Sequence, residues 1–286
     1  MRTLAPVVAF FAVLSFGGHA LADGVLLRTS DLPAADRKTL AASIAAAKAR
    51  IPEAFEAVRA VDTYKANGAR RLRAKDPSAT RAFRRIGPGA LWPLIELAAF
   101  KADRSALSPA EWNALGAGIL EALAVLEREE ARPVFAAVVE LGGNAEWADR
   151  AAEGLGMLCG AEDQTLLLSQ VGSPGARGLS AIVGLQHCRT TEVTERMADV
   201  LAGATDAERG ERAARALGFL GSTWALAAEK HLSPGDKESI RALANRSLRK
   251  ALEHPSEAVR VRAGKALRMT ELASSKPAIS GQTADR

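Results

Sequence analysis

The amino-acid sequence predicts an all-α protein built as an α-α superhelix, and two observations support this prediction. The chain is rich in Ala, Leu, Arg and Glu but contains only one Tyr, eight Phe and four Trp, so helix formers outnumber strand formers. A hexapeptide, Arg-Ala-(Ala/Gly)-charged-(Ala/Gly)-Leu, occurs at 150–155, 212–217 and 262–267. Recurrence of one helical fragment at wide spacing is typical of a solenoid, whose units bury their apolar faces only by stacking on one another.

Residues 1–22 have the three parts of a secretory signal peptide. Basic Arg2 precedes an apolar run of about 13 residues, and the segment ends in Ala-Leu-Ala. The run is shorter than the roughly 20 residues that cross a bilayer, which makes an uncleaved anchor the weaker alternative. A bacterial lipoprotein would have a Cys directly after the apolar run, and this sequence has none there. We therefore predict cleavage after Ala22 and an exported protein, either periplasmic or secreted.

Residues 23–86 are predicted to form an N-terminal helical cap that lacks the repeat. Asp31 and Pro33 are typical of a helix start, and an Ala-rich helix follows them. Pro52 begins a second helix, and a third, short helix over 81–86 follows a break in the pattern.

From residue 87 to 272 the sequence predicts an array of paired helices with short connections. Ser108-Pro-Ala-Glu is a capping-type helix start. Small residues recur near the ends of the second helices, which indicates close approach of helices in adjacent layers. The polar residues 273–286 are predicted to be a disordered tail. The predicted pairs are 88–100 with 108–126, 133–141 with 145–158, 164–171 with 176–186, 192–201 with 207–220, and 237–253 with 258–272.

One stretch of this array carries a family resemblance. Residues 256–267, Ser-Glu-Ala-Val-Arg-Val-Arg-Ala-Gly-Lys-Ala-Leu, resemble the second helix of a HEAT repeat, in the short bacterial form shared with phycobilisome-lyase-like repeats. Residues 212–221 match equally well, and 150–158 match with Cys159 in place of the final Gly. The resemblance implies a curved array whose second helices display side chains to a partner. No aligned Asp column accompanies the arginines, which departs from the family's inter-repeat Asp–Arg ladder.

The two cysteines of the chain, Cys159 and Cys188, end the second helices of consecutive predicted repeats. In a solenoid these ends lie in neighbouring layers, so the sulfurs could come within bridging distance. An even pair in an oxidising compartment is a candidate for one disulfide, which would staple the two layers. The alternative is a pair of buried free thiols.

The tripeptide Ala-Glu-Trp occurs at the start of two successive second helices, at 110–112 and 145–147. These residues could form an aromatic edge that contacts a partner. The alternative is that the rings pack between layers. The candidate partner-binding residues are Glu111, Trp112, Glu146 and Trp147.

Charge is unevenly distributed along the chain. The stretch 70–85 has seven basic residues and one acid, 121–163 is acidic, and 237–268 is again basic. Such runs can be solvated helix faces, or they can orient a charged partner. Nucleic acid is not predicted as a partner, because an exported chain without interleaved aromatic residues does not suit it. The candidate electrostatic site, for an acidic protein or an anionic membrane surface, comprises Arg70, Arg71, Arg73, Arg84 and Arg85.

Motifs of common catalytic and cofactor sites are absent from the sequence. There is no GxGxxG after a strand, no P-loop, no HExxH, no GxSxG and no CxxC. His187, His231 and His254 lack partners at metal-ligand spacing, so neither a metal nor a cofactor is predicted. We expect a monomeric, non-catalytic protein–protein interaction module that binds on the solenoid face. Two alternatives stay open: a ligand-handling or lyase-like enzyme on a HEAT-like scaffold, and a purely structural envelope component.

Overall fold

The computed structural model describes residues 24–62, 79–102 and 107–271. Within these ranges the regular elements are helices and no strand occurs, so the all-α prediction is confirmed. The predicted signal peptide, the cluster Arg70, Arg71 and Arg73, and the predicted tail lie outside the described residues.

The described α-helices follow one another along the chain, and most of the connections between them are short. Three single turns of 3-10 helix, at Thr29–Asp31, Gly87–Ala90 and Glu129–Ala131, lead into the α-helices that follow. The α-helices are α1 (Ala34–Arg50), α2 (Pro52–Arg59), α3 (Ala79–Ile86), α4 (Leu91–Ala99), α5 (Pro109–Leu126), α6 (Arg132–Leu141), α7 (Ala145–Leu158), α8 (Ala161–Gln170), α9 (Gly175–Leu185), α10 (Thr191–Ala202), α11 (Ala207–Leu220), α12 (Thr223–Ala228), α13 (Pro234–Ala251) and α14 (Glu257–Glu271).

Alternate helices form one continuous row. Helix α3 packs on α5, α5 on α7, α7 on α9, α9 on α11, and α11 on α14. We call these six helices the second-helix row. The first helices α4, α6, α8, α10 and α13 lie behind them, each packed against the second helix of its own pair. This arrangement is the predicted α-α superhelix.

Side-chain caps explain where several of these helices begin. The Ser108 hydroxyl accepts the N–H of Glu111, whose carboxylate accepts the N–H of Ser108 in return, and this capping box starts α5 as the sequence predicts. Asn144 caps α7 and Asp206 caps α11, each through its side-chain oxygen, which accepts two backbone N–H groups of the first turn. Thr190 caps α10, and each such cap stabilises its helix by about 1 kcal/mol.

Small residues let the second helices approach closely. A Cβ atom added to Gly156 of α7 would lie 2.0 Å from the Gly184 oxygen of α9, and one added to Gly184 would lie 2.4 Å from the Ala152 oxygen. In the next contact a Cβ on Gly218 of α11 would lie 2.8 Å from Ala266 Cβ on α14. The backbones of neighbouring second helices therefore touch, which agrees with the small residues that the sequence places at these positions.

The N-terminal segment lies on the first helix pair. The N–H groups of Val25 and Leu26 donate to the carbonyls of Leu97 and Ala98 at the end of α4, at 2.8 and 2.9 Å. Val25 and nearby Leu27 are buried, and α1 and α2 also pack against α4. Residues 24–62 thus cover the α4 side of the array.

A disulfide joins two layers of the row. Cys159 follows α7 and Cys188 follows α9, and their Cα atoms are 5.5 Å apart with the sulfurs bonded. This separation lies within the ordinary range for disulfides. The sequence leaves open a disulfide or a pair of free thiols, and in the structure Cys159 and Cys188 form the disulfide.

Two features differ from the sequence prediction or go beyond it. The stretch 222–236, which shows no clear pattern in the sequence, contains the short helix α12. Ser222 caps this helix, and the Thr223 hydroxyl donates to the Thr270 carbonyl of α14 at 3.0 Å.

Among the first helices, Arg132 of α6 forms a bidentate salt bridge with the fully buried Asp163 of α8, at 2.8 and 3.1 Å. Hydrogen bonding to Asp163 outweighs burial and raises the pKa of Arg132.

Candidate binding face

The first arginine of each hexapeptide forms an ion pair with an acid on an earlier second helix. Arg150 of α7 lies 2.9 Å from Glu121 of α5. Arg212 of α11 lies 2.7 Å from Asp149 of α7, and Arg262 of α14 lies 3.7 Å from Glu211 of α11. The repeated arginine therefore connects the layers electrostatically as well as by packing.

The acids of this ladder explain why no Asp column is visible in the sequence. Asp149 and Glu211 each directly precede the hexapeptide arginine of their own helix. Because one of them is Asp and the other is Glu, they do not form a column of identical residues. Glu121 lies at a different place, three residues before the small residue Ala124 near the end of α5. A search for acidic residues in general, placed one residue before each hexapeptide, would have found two of the three partners.

Asp149 is the centre of the largest group of polar contacts in this ladder. It accepts two hydrogen bonds from Arg212, at 2.7 and 2.9 Å, and one from the Ser180 hydroxyl of α9 at 2.7 Å. Arg212 also lies 3.0 Å from Glu208. Burial lowers the pKa of Arg212, but its hydrogen bonds and its attraction to the two carboxylates outweigh this effect, so the net pKa is raised. These contacts fix α7, α9 and α11 relative to one another.

Two neighbouring side chains, His187 and Arg150, lower the pKa of Glu153. The His187 ring, whose Nε2 lies 3.7 Å away, is the largest influence and lowers the pKa of Glu153. Burial opposes this shift, and the positive charge of Arg150, at 3.3 Å, adds to it. The carboxylate thus ionises at lower pH in the folded protein than in the unfolded chain.

Three clefts lie along the second-helix row. The middle cleft, of about 490 Å³, crosses α7, α9 and α11. A cleft of about 470 Å³ lies between α3 and α5, and one of about 330 Å³ lies between α11 and α14. Charged side chains line all three. The charged residues are Arg81, Arg84, Arg85 and Glu121 in the first cleft, Glu146, Asp149, Arg150, Glu153, Arg212 and Arg215 in the middle one, and Glu211, Glu257, Arg262 and Lys265 in the last.

The two predicted tryptophans pack inside the row. Trp112 is only 6% exposed, and the Trp147 ring lies against Gly116 of α5, where an added Cβ would come within 2.5 Å of it. The Trp147 indole N–H donates to the Asn113 carbonyl at 3.1 Å. The structure therefore shows the packing alternative for both rings, and they do not form an aromatic edge.

The two glutamates of the same motif have separate roles. Glu111 completes the capping box of α5 with Ser108. Glu146 is exposed at the middle cleft and accepts a hydrogen bond from the Asn113 amide at 3.0 Å. Of the four residues predicted from the Ala-Glu-Trp repeat, Glu146 is the one whose charged group lies exposed at a cleft.

Arg84 and Arg85 are exposed on α3 and line the first cleft with Glu121. The structure therefore places this part of the predicted electrostatic site at one end of the second-helix row. Sequence reasoning missed two exposed cations elsewhere on the row, Arg215 at the middle cleft and Lys265 at the cleft between α11 and α14. Their signal is present in the hexapeptide, since both occupy its fourth, charged position.

In residues 24–62, 79–102 and 107–271, no group of three or more His, Cys, Asp or Glu side chains is placed to hold a metal ion. No helix of these ranges is long and apolar enough to cross a membrane.

No protein-family model and no curated protein matches this chain. Among solved structures, the chain is similar to an engineered protein, with 18% identity and a TM-score of 0.40 over 77% of this chain and 96% of that one. It is also similar to human deoxyhypusine hydroxylase in complex with glycerol, with 16% identity and a TM-score of 0.29 over 73% of this chain and 96% of that one. At TM-scores this low, neither similarity bears on the function of this chain.

Proposed function

We propose that this protein is a non-catalytic interaction module that binds a partner protein along its second-helix row. The observation that carries this proposal is the line of three clefts, each lined by charged side chains from different repeats. A stacked array presents such a line as one extended, preformed surface, and surfaces of this kind serve binding in repeat proteins.

Rigidity of the row supports a binding role. Neighbouring second helices touch through glycines, are joined by the ion pairs of the hexapeptide arginines, and are linked once by a disulfide. Side chains held on a rigid scaffold lose less conformational freedom when a partner binds, so more of the contact energy appears as affinity. The row therefore suits a partner that docks without a large rearrangement.

An exported location is part of this proposal. The bond between Cys159 and Cys188 fits an oxidising compartment, where disulfides form and persist. Intact-mass measurement of the protein recovered from its native host tests the location. A mature chain that begins at Asp23 supports export, and a chain that still carries residues 1–22 with two free thiols contradicts it.

In-cell crosslinking followed by mass spectrometry tests the binding role. The variant Glu146→Ala with Arg215→Ala removes two exposed charges from the middle cleft, of opposite sign and outside the ion-pair ladder. The matched control, Glu238→Ala with Arg241→Ala, removes the same charges from the exposed surface of α13. We expect one abundant partner that the first variant loses and the control keeps.

Two results would reject this role. A partner that both variants retain would place its binding surface elsewhere on the molecule. Recovery of the protein without any partner, but with a bound chromophore visible by absorbance, would favour the ligand-handling alternative. Size-exclusion chromatography with light scattering tests the accompanying proposal of a monomer.

A further inference from the structure

The first cleft of the row differs from the other two in its balance of charge. Acidic and basic side chains are equal in number in the middle cleft, three of each, and in the last cleft, two of each. The cleft between α3 and α5 is lined by three basic side chains, Arg81, Arg84 and Arg85, and by one acid, Glu121. Of these three clefts, the first is therefore the one with an excess of positive charge.

The acid of the first cleft has its contacts elsewhere. The Glu121 carboxylate lies 2.9 Å from the Arg150 guanidinium of α7 and accepts a hydrogen bond from the Thr80 hydroxyl. Arg84 and Arg85 form no ion pair with Glu121 or with any other acid of the part of the chain that the structure describes. These two guanidinium groups are thus available to an anion that enters the cleft.

The sequence of α3 places its three arginines on one face of the helix. Residues separated by three or four positions are neighbours on a helix surface, which is the spacing of Arg84 and Arg85 from Arg81. Ala79 and Phe83 of the same helix are buried. The exposed residues of α3 are its arginines, so this helix presents guanidinium groups and no exposed apolar side chain.

Guanidinium groups bind oxygen anions with a defined geometry. Each planar group can take one carboxylate through two parallel hydrogen bonds, so Arg84 and Arg85 together suit two neighbouring carboxylates. A small free anion would gain little from two exposed arginines, because exposed ion pairs are weak on their own. A polypeptide that carries the carboxylates can add contacts along the rest of the row.

A membrane surface fits α3 less well than an acidic polypeptide does. Helices that bind a bilayer surface bury apolar side chains below the lipid headgroups. Helix α3 has no exposed apolar side chain to insert, since Phe83 is packed inside. Its exposed charge without exposed apolar surface favours recognition of carboxylates.

We propose that the first cleft binds an acidic segment of the partner protein, in which two Asp or Glu side chains pair with Arg84 and Arg85. This inference rests on the proposed binding function and names the chemistry of the partner at one end of the row. Arg81 adds a third positive charge beside the two pairs.

Fluorescence anisotropy with two labelled peptides tests this chemistry. The acidic probe is a 12-residue peptide of Gly and Ser with four Asp at alternate positions, and the neutral probe has Asn in place of each Asp. At low salt we expect the purified protein to bind the acidic probe about tenfold more tightly, and this preference should disappear at about 0.5 M salt. Equal affinity for the two probes at low salt would overturn the inference.

Paired variants test whether the acidic probe binds at α3. Arg84→Gln with Arg85→Gln should weaken its binding about fivefold. The matched control, Arg246→Gln with Lys250→Gln, removes the same charge from exposed positions at a cleft of about 540 Å³ between α10 and α13 and should change binding less than twofold. Circular dichroism confirms that each variant is folded. An equal effect of the two double variants would overturn the inference.

Photocrosslinking in the native host tests the chemistry of the real partner. A photoreactive phenylalanine derivative at position 81 lines the first cleft and leaves Arg84 and Arg85 in place. We expect the partner peptide that it captures to contain at least two Asp or Glu side chains close to the crosslink. A captured peptide without acidic side chains would overturn the inference.

The remaining results separate this inference from the proposed function. A partner captured from position 215 in the middle cleft but not from position 81 would overturn the acidic segment while the interaction module stands. No partner from either position would reject both. Phosphatidylglycerol vesicles that bind the protein more tightly than the acidic probe, and that the Arg84 and Arg85 double variant no longer binds, would assign these arginines to a membrane surface instead.

Discussion

Opening the disulfide should lower the stability of the folded protein by a predictable amount. Cys159 and Cys188 are 29 residues apart, and a bridge that closes a loop of this size removes chain entropy from the unfolded state equivalent to about 3.5 kcal/mol at 25 °C. For a chain of this length, 1 kcal/mol shifts Tm by roughly 2–4 °C, so complete reduction should lower Tm by about 7–14 °C.

Thermal unfolding followed by circular dichroism at 222 nm measures this shift, with and without a phosphine reductant. Reduction changes no residue, so it leaves the packing of the buried Cys188 side chain nearly intact. The control is Cys159→Ala with Cys188→Ala, whose Tm should be low in both conditions and insensitive to the reductant.

Two outcomes would refute the reasoning. If thiol labelling proves complete reduction and Tm changes by less than about 2 °C, the bridge does not constrain the unfolded chain as the entropy argument requires. If both cysteines of the unreduced, denatured protein react with the labelling reagent, the bridge does not exist in the protein as produced.

Three further predictions concern contacts within the row. Gly156→Ala should destabilise the fold by about 1–3 kcal/mol in urea unfolding, because the added Cβ would meet the α9 backbone, whereas Gly143→Ala meets nothing within 4 Å and should be nearly neutral. Arg212→Gln should cost about 1–2 kcal/mol by the same assay, since it leaves half-buried Asp149 without its ionic partner; a neutral result would contradict the ladder. The pKa of Glu153 is lowered on folding, so its carboxylate adds to the free energy of unfolding above pH 4.5, the ordinary pKa of a Glu. This contribution is lost as the pH falls through the pKa of Glu153 in the folded protein. Glu153→Gln should therefore flatten the acid limb of a stability–pH curve, and an unchanged limb would count against the shift.

The fold was predictable because its cause is local and repeated. Apolar residues at helical spacing, caps such as Ser108 and small residues such as Gly156 and Gly184 each specify a helix, its start or its contact. These signals agree with one another along the chain, so the pairing of the helices follows from their order in the sequence. The short helix α12 was not predicted, because it depends on a hydrogen bond from Thr223 to a carbonyl 47 residues away.

The candidate face was predictable only in part. Arg84 and Arg85 were identified from charge density, and both line a cleft of the row. For Trp112 the sequence leaves an exposed edge and packing between layers both open, because a repeated tripeptide does not show which way a ring points. That direction depends on the neighbouring helix. Arg215 and Lys265 were missed because the sequence does not show which charged positions of a helix face a cleft, and that depends on how neighbouring helices pack.

Site-specific photocrosslinking in the native host tests the central claim, that the second-helix row is the partner surface. A photoreactive phenylalanine derivative replaces Arg215 in the row, or Arg241 on the outer helix α13, both exposed. We predict that illumination joins a discrete partner to the protein labelled at position 215 and not to the one labelled at position 241. Crosslinks from position 241 alone, or from both positions equally, would contradict the account.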